Sequence, residues 1–245
     1  VKKQAGYVLQ VDLGDYFMAL GPGSDTVNKL MLDSLTSLPI GVMNLAPEDL
    51  FMWKELSAAK LPTKIISTNL TPRDSSVPTP ARYAIVEVPG ATLGLKKNLR
   101  LGFLGLSNPT QIKPNSGFNA ADPLEAVAQV KPELLKKTDY LMVLADLPKV
   151  TAVRLAKENP EIYAILLLER TYVDTQPEQV NNAVLVWSVE RGRQLGQLVM
   201  ELDERGNIVT FKPNKVELNS TVPTDAALLK RENETKASVP ATAGH

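Results

Sequence analysis

The chain has 245 residues, 44% of them hydrophobic, with 27 basic and 27 acidic side chains and a formal net charge of zero. That is enough apolar material for one large α/β domain or two small ones, and it excludes a disordered chain. The charge balance argues against nucleic acid or an anionic membrane as partner, and the lack of cysteine excludes disulfides and thiolate metal sites. No apolar run approaches the roughly 20 residues that cross a bilayer, and no signal peptide is evident. The chain starts at Val1 without a methionine, so it reads as a processed chain or part of a longer one.

The organising stretch is Tyr7–Phe17, YVLQVDLGDYF, an apolar run ending in Asp12-Leu13-Gly14-Asp15. Val8, Leu9 and Val11 suit a strand buried on both faces, and Gly14 allows a sharp turn at its carboxyl end. Ligands collect at that edge in open α/β sheets, which makes Asp15 the first candidate site residue. Gly21-Pro22-Gly23 reads as a loop, with Ser24 or Asp25 capping a helix whose apolar face is Val27, Leu30, Met31 and Leu35. A second strand, Ile40–Met43, leads to Pro47, suited to the first turn of a helix, where Glu48 and Asp49 match the helix dipole.

Lys64–Ser67 is expected as a third strand. Residues 68–82, with three prolines, read as a surface loop without regular structure. Tyr83–Val88 and Leu99–Leu106 read as an antiparallel pair that begins a second sheet. Ser107–Ala121 is expected to be a polar loop. A helix follows Asp122-Pro123, carrying Leu124, Val127, Val130 and Leu134, and Pro132 puts its continuity in question.

Tyr140–Leu144 is a buried strand ending in Ala145-Asp146, Val150–Glu158 a helix, and Ile162–Leu168 a strand ending in Glu169-Arg170. From Ala183 onward an antiparallel meander is expected, with a turn at Arg205-Gly206-Asn207. Residues 1–224 thus form the domain, and 225–245 a tail or linker with one short helical possibility, ALLKRENE.

The ordered segments VLQVDLGDYF, IGVMNLAPEDL, LPTKIISTNL, LRLGFLGLSNP, KKTDYLMVLADLP, ENPEIYAILLLERTY and VERGRQLGQLVMELDERGNI resemble the N-terminal metallophosphoesterase domain of the 5′-nucleotidase and UDP-sugar hydrolase family, over about residues 7–222. The resemblance implies a four-layer αββα sandwich of two mixed sheets flanked by helices. It also implies two divalent cations held by Asp, His and Asn at strand ends, activating a water against a phosphate ester. Asp15 falls on the bridging carboxylate. The family's Asn ligand falls on Pro47, which has no side-chain donor, and its catalytic His on Glu48. Later His ligands fall on Asp146 and on Glu169 and Thr171. The family's first-strand Asp-X-His has no counterpart, and the single histidine, His245, lies in the tail.

These departures imply a degenerate metal site and a non-catalytic binding or scaffold module with no cofactor. Family relatives often carry further domains, in some bacterial chains haem-carrying ones, and are mostly exported. A partner domain in a periplasmic, cell-surface or extracellular assembly follows as the expectation. The alternative is a divergent phosphoesterase in which Asp15, Glu48, Asp49, Asp146 and Glu169 gather around Mg²⁺, Mn²⁺ or Ca²⁺. A third is a fragment whose missing first strand carries the remaining ligands. Set against any cation site, Asp15 reads as capping a turn, Glu48 and Asp49 as starting a helix, and Asp146 and Glu169 as solvated or paired, for instance with Arg170. Trp53 and Trp187 are expected to be packing anchors, with Phe51 and Trp53 the one aromatic pair able to line a pocket. Arg191 and Arg193 beside Gly192 fit either an anion grip or an exposed strand face.

Overall fold

The computed structural model describes residues 6–17, 24–168, 176–188 and 194–238. Its first half alternates strand and helix: β1 (Gln10–Asp12), α1 (Ser24–Leu35), β2 (Ile40–Asn44), a 3-10 helix (Pro47–Met52) running into α2 (Trp53–Ala58), and β3 (Lys64–Ile66). Helical crossovers return the chain in one direction, so β1, β2 and β3 pair in parallel, with Val11 opposite Val42 and Val42 opposite Lys64. One face of this sheet packs against the helices through Leu35, Ile40, Met43, Leu45, Leu50, Trp53 and Leu56.

The second half supplies β4 (Leu70–Pro72), β5 (Tyr83–Val88), β6 (Leu99–Ser107), β7 (Phe118–Ala120), α3 (Pro123–Leu134), β8 (Tyr140–Asp146), α4 (Lys149–Glu158), β9 (Ile162–Leu167), β10 (Glu178–Val180) and β11 (Ala183–Trp187). A six-stranded mixed sheet runs in the order β10-β11-β9-β8-β6-β5, antiparallel at both edges and parallel within. Val127, Val130 and Leu134 of α3, with Ala152, Leu155 and Ala156 of α4, cover one face. The other face presents Leu101, Phe103, Met142, Leu144 and Ala164 to Val42 and Ile66 of the first sheet. The layers are therefore α, β, β, α, the sandwich implied by the sequence resemblance.

A hairpin, β12 (Gln194–Leu202) and β13 (Ile208–Glu217), lays Leu198, Met200, Leu202 and Phe211 against the core between the sheets. Its turn is held by Asp203, whose carboxylate accepts the backbone N–H of Arg205 and of Asn207. Tyr140 caps it by donating its hydroxyl proton to the Gly206 carbonyl.

Several local expectations are corrected. Residues 68–82 and 107–121 are not loops throughout, because β4 and β7 pair antiparallel, Leu70 opposite Ala120 and Pro72 opposite Phe118. Residues 183–187 do not open a meander. They run parallel to β9, Val184 opposite Ala164, since AVLVW is apolar on both faces and suits the interior of a covered sheet. Pro132 does not break α3, which continues through it to Leu134 and forgoes the one N–H bond that position 132 would make to the Ala128 carbonyl. The buried face of α1 includes Ser24 and Asn28 with Leu35, while Met31 and Leu32 are partly buried. The tail's helical possibility is a longer helix, α5 (Ala226–Ser238), capped by the Asp225 carboxylate and lying against α1. Gly21-Pro22-Gly23, Glu169, Arg170, Thr171, Arg191, Gly192, Arg193 and His245 lie outside the described residues.

Candidate functional site

The turn after β1 is built from two successive left-handed residues, Gly14 at φ 85° and Asp15 at φ 71°. Asp12 starts it: one carboxylate oxygen accepts the Gly14 N–H at 2.8 Å, and the other accepts the Tyr16 hydroxyl at 3.0 Å. A side chain at position 14 would not fit. Its Cβ would stand 2.5 Å from the Asn44 carbonyl, 2.6 Å from Asp49 Oδ2 and 2.7 Å from Ala46 Cβ.

The turn closes on Asp49, the third residue of the 3-10 helix after β2. Asp49 is fully buried, and its carboxyl accepts three backbone N–H groups: Asp15 at 2.9 Å, Tyr16 at 2.8 Å and Ala46 at 3.0 Å. Burial is the largest influence on its pKa, which is pushed up to about 7; the three N–H donors pull the other way and the charge of Asp15 adds to the rise. Burial likewise raises Asp12, against the hydrogen bonds from Gly14, Tyr16 and Leu13. Tyr16 is raised by burial and then by Asp12, whose carboxylate lies beside its hydroxyl and accepts its hydrogen bond.

Neutral groups stitch the rest of the strand edge. Asn44, with no exposed surface, donates its amide to the Leu13 and Leu106 carbonyls, both at 3.3 Å. Among the described residues its Oδ1 has no hydrogen-bond partner, and it faces Gly105, where a Cβ would lie 2.7 Å away. Asn69 accepts the Ser107 N–H at 3.0 Å and donates to the Ser107 and Ala121 carbonyls at 2.8 and 3.1 Å. Ser107 in turn donates its hydroxyl to the Leu45 carbonyl at 2.7 Å, joining the two sheets. Sequence reasoning passed over Asp12, Tyr16, Asn44 and Asn69; an Asn at the end of β2 and another three residues past β3 were the available signal.

The candidate ligands take separate places. Asp15 sits at the turn, while Asp146 ends β8, buried and in register with Ser107. Pro47 opens the 3-10 helix and is buried. Glu48 is paired with Lys113, whose Nζ lies 3.0 and 3.1 Å from its two oxygens and 5.3 Å from the centroid of the Phe51 ring. Trp53 and Trp187 are packing anchors, 5% and 7% exposed. The Trp53 indole N–H donates to the Pro78 carbonyl at 2.6 Å. Lys149 stands over the Trp187 ring at 5.4 Å.

Among the described residues, no three His, Cys, Asp or Glu side chains stand where they could hold one metal ion. Of the described residues after β2, Asp49 accepts three backbone N–H groups, Glu48 pairs with Lys113, and Pro47 has no donor atom. A shallow depression of about 430 Å³ lies at the opposite edge, where β8 and β9 begin, lined by Thr138, Asp139, Pro160, Glu161, Tyr163 and Asn182.

No protein-family model matches the chain, and no curated protein matches it. Solved structures do. A 5′-nucleotidase precursor of Thermus thermophilus superposes with a TM-score of 0.75 at 19% identity, over 94% of this chain and 49% of that one. The sulfate thiohydrolase SoxB of Thermus thermophilus gives 0.74 at 16% identity, over 94% and 42%. The NAD nucleotidase of Haemophilus influenzae gives 0.64 at 14% identity, over 96% and 48%. The fold is that of the metallophosphoesterase domain of 5′-nucleotidases. At these identities the likeness concerns the fold. The chain spans about half the length of these structural neighbours.

Proposed function

We propose that this metallophosphoesterase-fold domain works as a binding or scaffold module and not as a two-cation hydrolase. The observation that carries the reading is the Pro47-Glu48 pair. The first has no donor atom, and the second is engaged by Lys113 at the position where the family resemblance expects a catalytic histidine. The partner in this reading is a further domain or protein, with a haem-carrying domain one candidate, in a periplasmic or cell-surface assembly. One thing supports that setting: a structural neighbour is a 5′-nucleotidase precursor.

The second reading is a divergent phosphoesterase using one Mg²⁺, Mn²⁺ or Ca²⁺ held by Asp15, Asp146 and Glu169. It is favoured by the nucleotidases among the structural neighbours and by the burial of Asp146 at a strand end. Elemental analysis of protein purified without chelator, with an aryl phosphate ester assay in added Mn²⁺ and Mg²⁺, separates the two. The scaffold reading expects no stoichiometric metal and no turnover. Bound metal with turnover that disappears in Asp15→Ala overturns it in favour of the enzyme.

A further inference from the structure

We infer that the smaller sheet takes one more strand at the free edge of β1, between β1 and the β12–β13 hairpin, supplied by a segment of the same polypeptide ahead of Val1. The two sheets are unequal, since β1-β2-β3 faces a sheet of six strands. β3 packs over β5, and β2 over β6 and β8. In the order of the larger sheet, the next strands beyond β8 are β9 and β11, so a strand past β1 would lie above them. Their side chains Leu166 and Val186 are only partly buried in the layer between the sheets, as are Leu9, Val11 and Leu13 in and beside β1. At the middle of the same layer Val42, Ile66, Phe103 and Leu144 are no more than 1% exposed. From the far side β12 brings Leu198, Met200 and Leu202 to this layer, again partly buried, and among the described residues it pairs with β13 alone.

The backbone edges agree. Among the described residues, Ile66 at the end of β3 bridges to Ala81, and the Lys64 ammonium donates to the Ile85 carbonyl of β5 at 2.7 Å. β10 is three residues long, with Glu178 paired to Lys149. β1 pairs only with β2, and its run Val8-Leu9-Gln10-Val11 carries no charge and no proline, two of the devices that blunt a free edge. The topology gives the source. β1, β2 and β3 are parallel and stand in chain order, each step made by a helical crossover, with the helices on one face. Such crossovers keep one hand, so the unit that precedes β1 in the chain arrives at the free edge of β1. The added strand runs parallel to β1, turns apolar side chains toward Leu166 and Val186, and is followed by a helix beside α1.

The inference goes beyond the proposed function and holds whether the domain binds or hydrolyses. Its test compares the 245-residue chain with the chain carrying, ahead of Val1, the roughly 30 residues of its own gene that a strand and its crossover helix need. In the longer chain, hydrogen exchange is expected to slow about tenfold or more at the amides of β1 and β12, relative to amides of β8. Equal exchange in the two chains overturns the inference, and so does a preceding segment that folds without protecting either strand. Protection of β1 in the shorter chain that grows with protein concentration assigns the edge to a second copy and also overturns it. None of these readouts involves metal or ester turnover, so failure here is distinguishable from failure of the scaffold reading.

Discussion

The carboxyl of Asp49 accepts the backbone N–H of Asp15 at 2.9 Å, fastening the end of β1 to the helix that follows β2, 34 residues further on. Burial raises the pKa of Asp49 from 3.8 to about 7, so the folded chain binds this proton more tightly than the unfolded chain does. Between those values the native state holds the extra proton. Its contribution to stability is full below the unfolded value and is lost as pH rises through the folded one. Urea unfolding at about pH 4.5, 6 and 8 is expected to show this decline. The decline should be absent in Asp49→Asn, which has nothing to titrate there; an equal slope in both proteins would refute the assignment.

Gly14→Ala is expected to destabilise by about 3 kcal/mol or more, because a left-handed backbone and three contacts at or below 2.7 Å act together. Gly94 is the control. It is also left-handed, at φ 71°, but nothing lies within 4 Å of a Cβ there, so Gly94→Ala should cost only about 1–2 kcal/mol. Chemical denaturation of the two variants separates backbone strain from contact.

The approach of the two sheets depends on Gly105. A Cβ there would meet Asn44 Oδ1 at 2.7 Å and the Ile66 carbonyl at 2.8 Å, both backed by buried strands. Gly105→Ala is expected to cost about 1–3 kcal/mol as overpacking, read as a lower urea midpoint with an unchanged slope.

Phe103, 1% exposed, fills the layer between the sheets, and Phe103→Ala is expected to cost about 3–5 kcal/mol. A loss under about 1 kcal/mol would mean that the layer collapses onto the cavity.

Lys113→Ala should change stability by no more than about 1 kcal/mol, since the side chains of Lys113 and Glu48 are 45% and 29% exposed. Under the scaffold reading it should also create no ester turnover. Hydrolysis gained by freeing Glu48 would show that Lys113 masks a working group.

Much of the fold was legible because the strands announce themselves locally. IGVMN, YLMVLAD and IYAILL are short apolar runs bounded by polar or turn residues, and α1, α3 and α4 carry helical spacing. The turn at Gly14-Asp15 was legible too, since an Asp-Leu-Gly-Asp run after an apolar strand calls for a reversed backbone. The pairing of β4 with β7 was not. Leu70 and Ala120 stand opposite each other across 50 positions of prolines and small polar residues that carry no alternation to betray a strand. Nor was the direction of β11, because AVLVW reads equally well in a parallel or an antiparallel ladder.

The candidate site divides along the same line. By itself the sequence determined which chemical groups arrive at the strand ends: Asp15 after β1, proline and glutamate where the family resemblance expects an amide and an imidazole, and Asp146 after β8. Only the tertiary structure decided what each group does there. It turned Asp49 inward to three N–H donors, paired Glu48 with Lys113, and used Asn44 and Asn69 to tie the sheets together. A carboxylate bonds to whatever donor the packing leaves within about 3 Å, and that is set by segments tens of residues away, beyond the reach of local pattern.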